Sequence, residues 1–336
     1  MFSSIYSIFT SKNPNNFWFK ILIVLIICLS IILISKRFNI SPYYEGFVQK
    51  EKFVLKTENN IYDDFYVEIY DQLQKTNERI AYEVKKMIEF TEPDENSVFL
   101  DVGCGTGHLV NTLQNLEYTV FGIDKSADMI KYAETKFPTI NINHDDINDT
   151  MLYETNTFTH IICDNFTIYE LDDKTKFLKN CRNWLVPNGY LILHLVDKKK
   201  FNPIIPLGNP VILDNPQKYA KTRITDTFIN FIDFNYKGSY DFNNSDKNVV
   251  CLKETFTDIL TSNVRQNEIK LKMENIDDIL KLCSNCGYIV NKKFDMKQCN
   301  GDEYQYIYIL QESLRDQMPH RIPSQNIRPL LAGRWS

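Results

Sequence analysis

Apolar residues recur along this chain with two different periods. IYDDFYVEIYDQL (61–73) and ERIAYEVKKMIEF (78–90) place them at helical spacing. Pro93-Asp94 breaks that pattern, and SVFLDV (97–102) predicts a buried strand. A helix over about 107–117, a strand at YTVFGID (118–124), a helix over 126–136 and a short strand at TININ (139–143) follow. FTHIICD (158–164) predicts a further strand, 173–185 a helix, and YLILHLV (190–196) the strand after it. Strands separated by helices predict an α/β fold with a parallel, doubly wound sheet.

From about 219 to 273 the rhythm changes to strand-like runs without helices between them, which predicts a small antiparallel insert within about 201–273. IDDILKLCSNCGYIVNKKFDM then returns to helix and strand, and EYQYIYIL supplies a last strand. The main domain is thus expected over 61–312, with a polar, flexible tail over 313–336. Ahead of it come an N-terminal segment (1–16), an apolar run (17–34) and a tether of mixed charge (35–60).

The run FWFKILIVLIICLSIILI predicts a transmembrane helix, since eighteen helical residues reach roughly 27 Å, near the thickness of a thin bilayer. It ends in Ser35-Lys36-Arg37, without the small residues of a signal-peptide cleavage site. Lys36, Arg37, Lys50 and Lys52 outnumber Lys12 and Lys20, which predicts a single-pass membrane protein with its C-terminal domain in the cytosol.

The 336 residues carry a net charge of -5, an argument against a dedicated nucleic-acid binder. Eight cysteines are scattered through apolar segments, unlike a secreted disulfide framework. Cys283 and Cys286 form a C-x-x-C whose further ligands are not at zinc spacing, so no metal is expected. Glycine numbers only 11, yet three fall at 103, 105 and 107, where the first strand meets a helix. Such a loop lets the backbone turn sharply and approach a ligand at the carboxyl end of the sheet. A dinucleotide fingerprint would place its third glycine one residue later, which weighs against a nicotinamide-dependent oxidoreductase.

The string Asp101-Val102-Gly103-Cys104-Gly105-Thr106-Gly107 resembles motif I of the class I S-adenosylmethionine (SAM)-dependent methyltransferases, most of all the type 11/25 group. GIDKSADMIKYA, FTHIICDNFTIYEL and NWLVPNGYLILHL resemble the segments that follow in that family. The resemblance implies a Rossmann-like, seven-stranded, mostly parallel sheet with an antiparallel last strand, and SAM as the cofactor. It implies that Asp101 faces the ammonium of the methionine moiety, and that Asp124, beside Lys125, accepts from both ribose hydroxyls. Met129 would sit near the adenine, and Asp145 or Asp146, before Ile147, would accept from its amino group, with Asp146 slightly favoured. Cys163, Asp164 and Asn165 would line the floor near the methyl, and Tyr66 and Tyr70 are candidate lid residues. His194, on the fifth strand, is the candidate base. The acceptor is expected to be a small molecule, and a catalytically silent, membrane-anchored binding module is the competing reading. Arg223, Tyr236 and Arg265 in the insert are conceivable acceptor contacts, a solvent-facing role being the plainer alternative.

Overall fold

The computed structural model describes residues 17–38, 49–209 and 215–313, so the expected segment 1–16, residues 39–48 of the tether and nearly all of the tail lie outside the described residues. The chain divides into two units, Met1–Val48 and Gln49–Ser336. The first holds helix α1 (Phe17–Phe38), four residues longer than the apolar run. The side chains of Phe19, Ile27, Cys28 and residues 31–38 lie outside the description. Among the described residues no helix is long and apolar enough to cross a membrane, so the expected span has no support from the fold.

The second unit opens with strand β1 (Phe53–Thr57), a 3-10 turn (Glu58–Ile61) and helices α2 (Asp64–Gln74) and α3 (Thr76–Thr91). Then come β2 (Val98–Val102), α4 (His108–Gln114), β3 (Thr119–Asp124), α5 (Ala127–Lys136), β4 (Ile142–His144) and β5 (Phe158–Cys163). A short helix α6 (Thr167–Glu170) precedes α7 (Lys174–Trp184) and β6 (Leu185–Val196). The insert supplies β7 (Asp226–Asn230), β8 (Phe234–Asp241), β9 (Val249–Asp258) and β10 (Val264–Lys272). Helix α8 (Ile276–Asn285), β11 (Tyr288–Met296), α9 (Lys297–Asn300) and β12 (Asp302–Glu312) close the domain.

The main sheet has seven strands in the order β11-β12-β6-β5-β2-β3-β4. Strands β6, β5, β2, β3 and β4 run parallel, while β12 is antiparallel to both its neighbours, as expected of the last strand. Burial of Phe99, Val110, Leu113, Ile162, Ile192 and Ile309 packs helices onto this sheet. The apolar strands therefore read as continuous runs, because both faces are covered.

The four strands of the insert and β1 form a second sheet, in the order β1-β10-β9-β8-β7. β1 pairs in parallel with β10, Phe53 opposite Val264 and Thr57 opposite Glu268. The segment expected as tether up to residue 60 is thus an edge strand from Phe53 onward. Its partner lies more than two hundred residues away, and five residues carry too little periodicity to reveal it. Phe256 of β9 is fully buried where this sheet meets α2, its ring 5.2 Å from those of Phe65 and Tyr236.

Arg265 and Tyr236, expected to face solvent, are buried instead. Arg265 clamps both oxygens of Asp63 at 2.8 Å and donates to the Ile61 carbonyl, and the Tyr236 hydroxyl donates to Glu254 at 2.8 Å. Arg223 donates to the carbonyls of Lys198 and Phe201 and lies over the Phe242 ring. All three side chains hold the insert together. Phe256→Ala should lower the stability of the domain by about 3–5 kcal/mol, read as a shift in the denaturant midpoint.

Candidate functional site

β2 delivers Asp101 and the glycine loop to the carboxyl end of the main sheet. The loop is stitched to β3 by the N–H groups of Gly103 and Cys104, which both donate to the Ile123 carbonyl (2.8 and 3.0 Å). Gly103 has φ +73°, and a Cβ there would lie 2.6 Å from Thr167 Cγ2. At Gly105, with φ +50°, the nearest atoms to such a Cβ are 4.0 Å away, at the Gly103 carbonyl and Met129 Sδ. Gly103 is therefore required by its neighbour, whereas Gly105 borders open space that a ligand can enter.

Asp124 ends β3 and fixes the loop from the other side. Its Oδ2 accepts from Gly105 N–H at 2.9 Å and its Oδ1 from Ser126 N–H at 2.8 Å. Helix α5 is capped by Ser126, which accepts from Met129 N–H, so capping does not explain Asp124. Burial raises the Asp124 carboxyl above its ordinary range, against the pull of the two N–H donors. Asp145 N–H donates to the Asp124 carbonyl at 3.1 Å, bringing the end of β4 to the same rim. Asp146 spends Oδ1 on the N–H and side chain of Asn148, Ile147 is buried, and Lys125 is exposed with its carbonyl 3.1 Å from His144 Nε2.

Asp101 is only 2 % exposed, and its Oδ1 has no hydrogen-bond partner. It shares a cavity with Gly105, Tyr70, Arg79, Asp164 and Asn165. Burial, and then the charge of Asp164, push the Asp101 carboxyl far above its usual range. Arg79 of α3 faces this cluster, its Nη1 2.6 Å from Asp164 Oδ2 and 3.0 Å from Glu83 Oε2. Although burial disfavours its charge, Asp164 is held below the ordinary carboxylate range by that guanidinium, while burial drives the Glu83 carboxyl upward. The Nε of Arg79 is buried and unpartnered, a donor still free to meet an anionic group.

Helix α2 closes over the loop. Asp71 accepts from the Thr106 hydroxyl at 2.6 Å and from Lys136 at 2.8 Å, with His108 Nε2 at 2.9 Å. The Tyr70 hydroxyl accepts from Asn165 Nδ2 at 2.7 Å, which puts Tyr70 in the site, whereas Tyr66 is a core ring. Arg79 and Asp71 escaped the sequence reading. The signal for Arg79 was an Arg-Glu pair four residues apart on the face carrying Ile80, Val84 and Met87. Asp71 left no signal, since its partners lie on two other helices and the loop.

His194, the expected base, is 1 % exposed. Its Nδ1 accepts from Phe166 N–H at 3.3 Å, and its Nε2 lies 3.2 Å from Gln305 Oε1. Burial lowers its pKa to about 4. The imidazole is neutral with both nitrogens engaged, and it supports the turn at Asn165–Phe166 instead of facing a substrate proton. Cys163 is buried, and Cys283 and Cys286 are free thiols.

A second cavity, of about 500 Å³ including its mouth, adjoins the first and shares Arg79 and Asn165 with it. Phe166, Phe201 and Tyr240 supply apolar wall, and Asn202, Gln305 and Asp302 the polar part. Asp302 is committed to Asn202 N–H, Tyr304 N–H and Gln305.

Known proteins show the same arrangement. Residues 99–189 match a family model described as a methyltransferase domain. The match covers the stretch from β2 to the turn within β6, and with it the glycine loop. The fold is that of a SAM-dependent methyltransferase. A crystal structure of such an enzyme from Clostridium acetobutylicum superposes with a TM-score of 0.53, covering 74% of this chain and 98% of that one at 18% identity. A malonyl-[acyl-carrier protein] O-methyltransferase of Halalkalibacterium halodurans is 27% identical over 133 residues, 37% of this chain and 49% of that one. A dTDP-4-amino-2,3,4,6-tetradeoxy-D-glucose N,N-dimethyltransferase of Saccharopolyspora spinosa is 28% identical over 142 residues, 40% and 56% of the two chains. This chain thus spans about half the length of the curated relatives it matches.

Two outcomes follow from the methyltransferase domain's geometry. Gly105→Val would fill the open space beside the loop, and Asp124→Ala would remove a charged acceptor. Each should weaken SAM binding roughly 10- to 100-fold by calorimetry while circular dichroism stays unchanged, because hydrogen bonds to charged groups are worth about 1.5–3 kcal/mol. His194 and His160 both have pKa values lowered by burial to about 4. Unfolded imidazoles take up protons near pH 6.5 and the folded ones do not, so stability is complete above about pH 6.5. It should fall by up to about 3 kcal/mol per histidine as pH drops toward 4, and denaturant titration at pH 7.5 and 5 should show less of this loss in His194→Gln.

Proposed function

We propose that the chain is a SAM-dependent methyltransferase acting on a small-molecule acceptor. The observation that carries this reading is the conjunction at the carboxyl end of the main sheet: an open glycine loop, Asp124 beside it, and an unpartnered Asp101 Oδ1 in the same cavity. These residues fit the donor. Asp101 would meet the ammonium and Arg79 Nε the carboxylate of the methionine moiety, Asp124 the ribose, Met129 the adenine face, and Asp145 or Asp146 the adenine amino group.

When bound, SAM supplies a methyl carbon on a positively charged sulfur; a lone pair of the acceptor forms the new bond while the carbon–sulfur pair leaves with sulfur. What this chain contributes is placement and exclusion of water. Arg79 and Asn165 stand where the two cavities meet, so an acceptor in the second cavity would be next to the donor in the first. The small-molecule class is supported by relatives whose names specify an acyl-carrier-bound malonyl group and an amino sugar. Intact loop geometry favours an enzyme over a silent binding module.

The membrane part of the reading rests on the apolar run 17–34 alone. In it, the run anchors the protein and residues 35–336 face the cytosol, where SAM is made. Asn165, which begins the acceptor sequence Asn165-Phe166-Thr167, donates to Tyr70 within the site, and a glycan there would break that contact.

Turnover with methyl-labelled SAM and fractionated cell extract should label a small molecule; SAM binding with no labelled fraction would instead indicate the silent module. In that assay His194→Gln should keep more than a tenth of kcat, as expected for a group that meets no substrate proton, because general-base catalysis contributes about 10²–10⁴-fold. In intact microsomes, added protease should digest the domain and no endoglycosidase-sensitive mass should be present; a protected domain would reverse the topology.

A further inference from the structure

The second cavity has a wall rich in carboxamides. Among the described residues, Gln74, Asn165, Asn202, Asn209, Asn300 and Gln305 line it, together with two charged side chains, Arg79 and Asp302. Both charges are already met within the protein. Arg79 Nη1 lies 2.6 Å from Asp164 and 3.0 Å from Glu83. Asp302, 1% exposed, accepts from Asn202 N–H, Tyr304 N–H and Gln305 Nε2 at 2.6, 2.9 and 3.0 Å. Burial raises its carboxyl above the ordinary range, and a second anion beside it would lack a counter-charge.

Three of the amides are oriented by backbone groups, which fixes the end of each that is spare. An amide oxygen must face an N–H, and an amide nitrogen must face a carbonyl. Asn202 Oδ1 accepts from Ile204 N–H at 3.3 Å and from Gln217 Nε2 at 2.8 Å, which leaves its nitrogen. Asn300 Oδ1 accepts from Asp302 N–H at 2.9 Å, which again leaves the nitrogen. Asn209 is turned the other way. Its Nδ2 donates to the Asn300 carbonyl at 3.1 Å, and its Oδ1 is buried without a partner. A ligand O–H or N–H would remove the cost of that unpaired acceptor.

The three amides thus leave two donors and one acceptor, all of them neutral. A carboxylate or phosphate would face the Asn209 oxygen and Asp302 with no unpaired cation, and an ammonium could not use the two nitrogens. A hydroxyl or a carboxamide both gives and takes hydrogen bonds, so it suits all three. Phe166, Phe201 and Tyr240 supply apolar wall for the remainder of such a group.

We propose that the part of the acceptor seated in the second cavity is uncharged and carries hydroxyl or carboxamide groups, selected by Asn202, Asn209 and Asn300. The proposal rests on the methyltransferase reading given above, and the two can fail separately. The labelled product of the extract assay is purified, and mass spectrometry and NMR identify the groups around the new methyl. Hydroxyls or carboxamides are expected there. A carboxylate, a phosphate or an amine other than the methylated one beside that atom overturns the proposal. With the purified unmethylated acceptor, full-length Asn209→Leu and Asn300→Asp are then compared with the unsubstituted chain. The first removes the spare acceptor, and the second keeps the oxygen that meets Asp302 N–H while turning the spare nitrogen into an anionic oxygen. Each should raise KM for the acceptor about tenfold, with kcat and SAM affinity unchanged, as for lost binding alone. An unchanged KM in both variants overturns the proposal, and so does a loss confined to kcat or SAM affinity, which a structural support would give. SAM binding with no labelled fraction overturns the methyltransferase reading and takes the proposal with it, whereas a labelled carboxylate or phosphate overturns the proposal alone.

Discussion

One guanidinium makes the carboxyl end of this sheet tenable. Asp101, Asp164 and Glu83 are gathered in a space with almost no water, and burying uncompensated charge there would cost several kcal/mol per ion. Arg79 meets two of the three directly. It keeps Asp164 ionised, leaves Glu83 favouring its proton, and reaches neither oxygen of Asp101. On the proposed reading, a cationic donor would meet the Asp101 oxygen left without a partner. The same ion pair fastens α3 to the turn after β5.

The glycine loop is held in a comparable way from both sides. Asp124 accepts from Gly105 within the sheet layer, while Asp71 gathers Thr106, His108 and Lys136 from the covering helix. A loop with positive φ at three glycines costs conformational entropy, and these contacts are what offset it. His194 belongs to the same class of support. Its ring bridges Phe166 N–H and Gln305, fixing the turn that carries Asn165 to the junction of the two cavities.

The insert contributes by position. Tyr240 and Phe201 wall the second cavity beside Asn165 and Phe166, so on the proposed reading the insert would share in selecting the acceptor. Arg223, Tyr236 and Arg265 tie the insert through hydrogen-bonded side chains, Tyr236 and Arg265 from buried positions.

Much of this was legible in the sequence because it is local. Buried parallel strands read as apolar runs, and a glycine cluster in a glycine-poor chain marks a loop with unusual backbone demands. An acid at the end of the second strand follows from the same short-range pattern. Gly105 could thus be named from its neighbours, and Asp101 and Asp124 from the resemblance that the same local motif carries. Tertiary structure alone decided the rest. β1 became a strand through a partner over two hundred residues away, and Arg79 entered the site through Asp164, 85 residues on. His194 lost its candidacy as a base to a backbone N–H and Gln305, neither of which its alternating strand could reveal. Periodicity states which face of an element is buried, but not what that face meets, and the charge state of a buried group depends on what it meets.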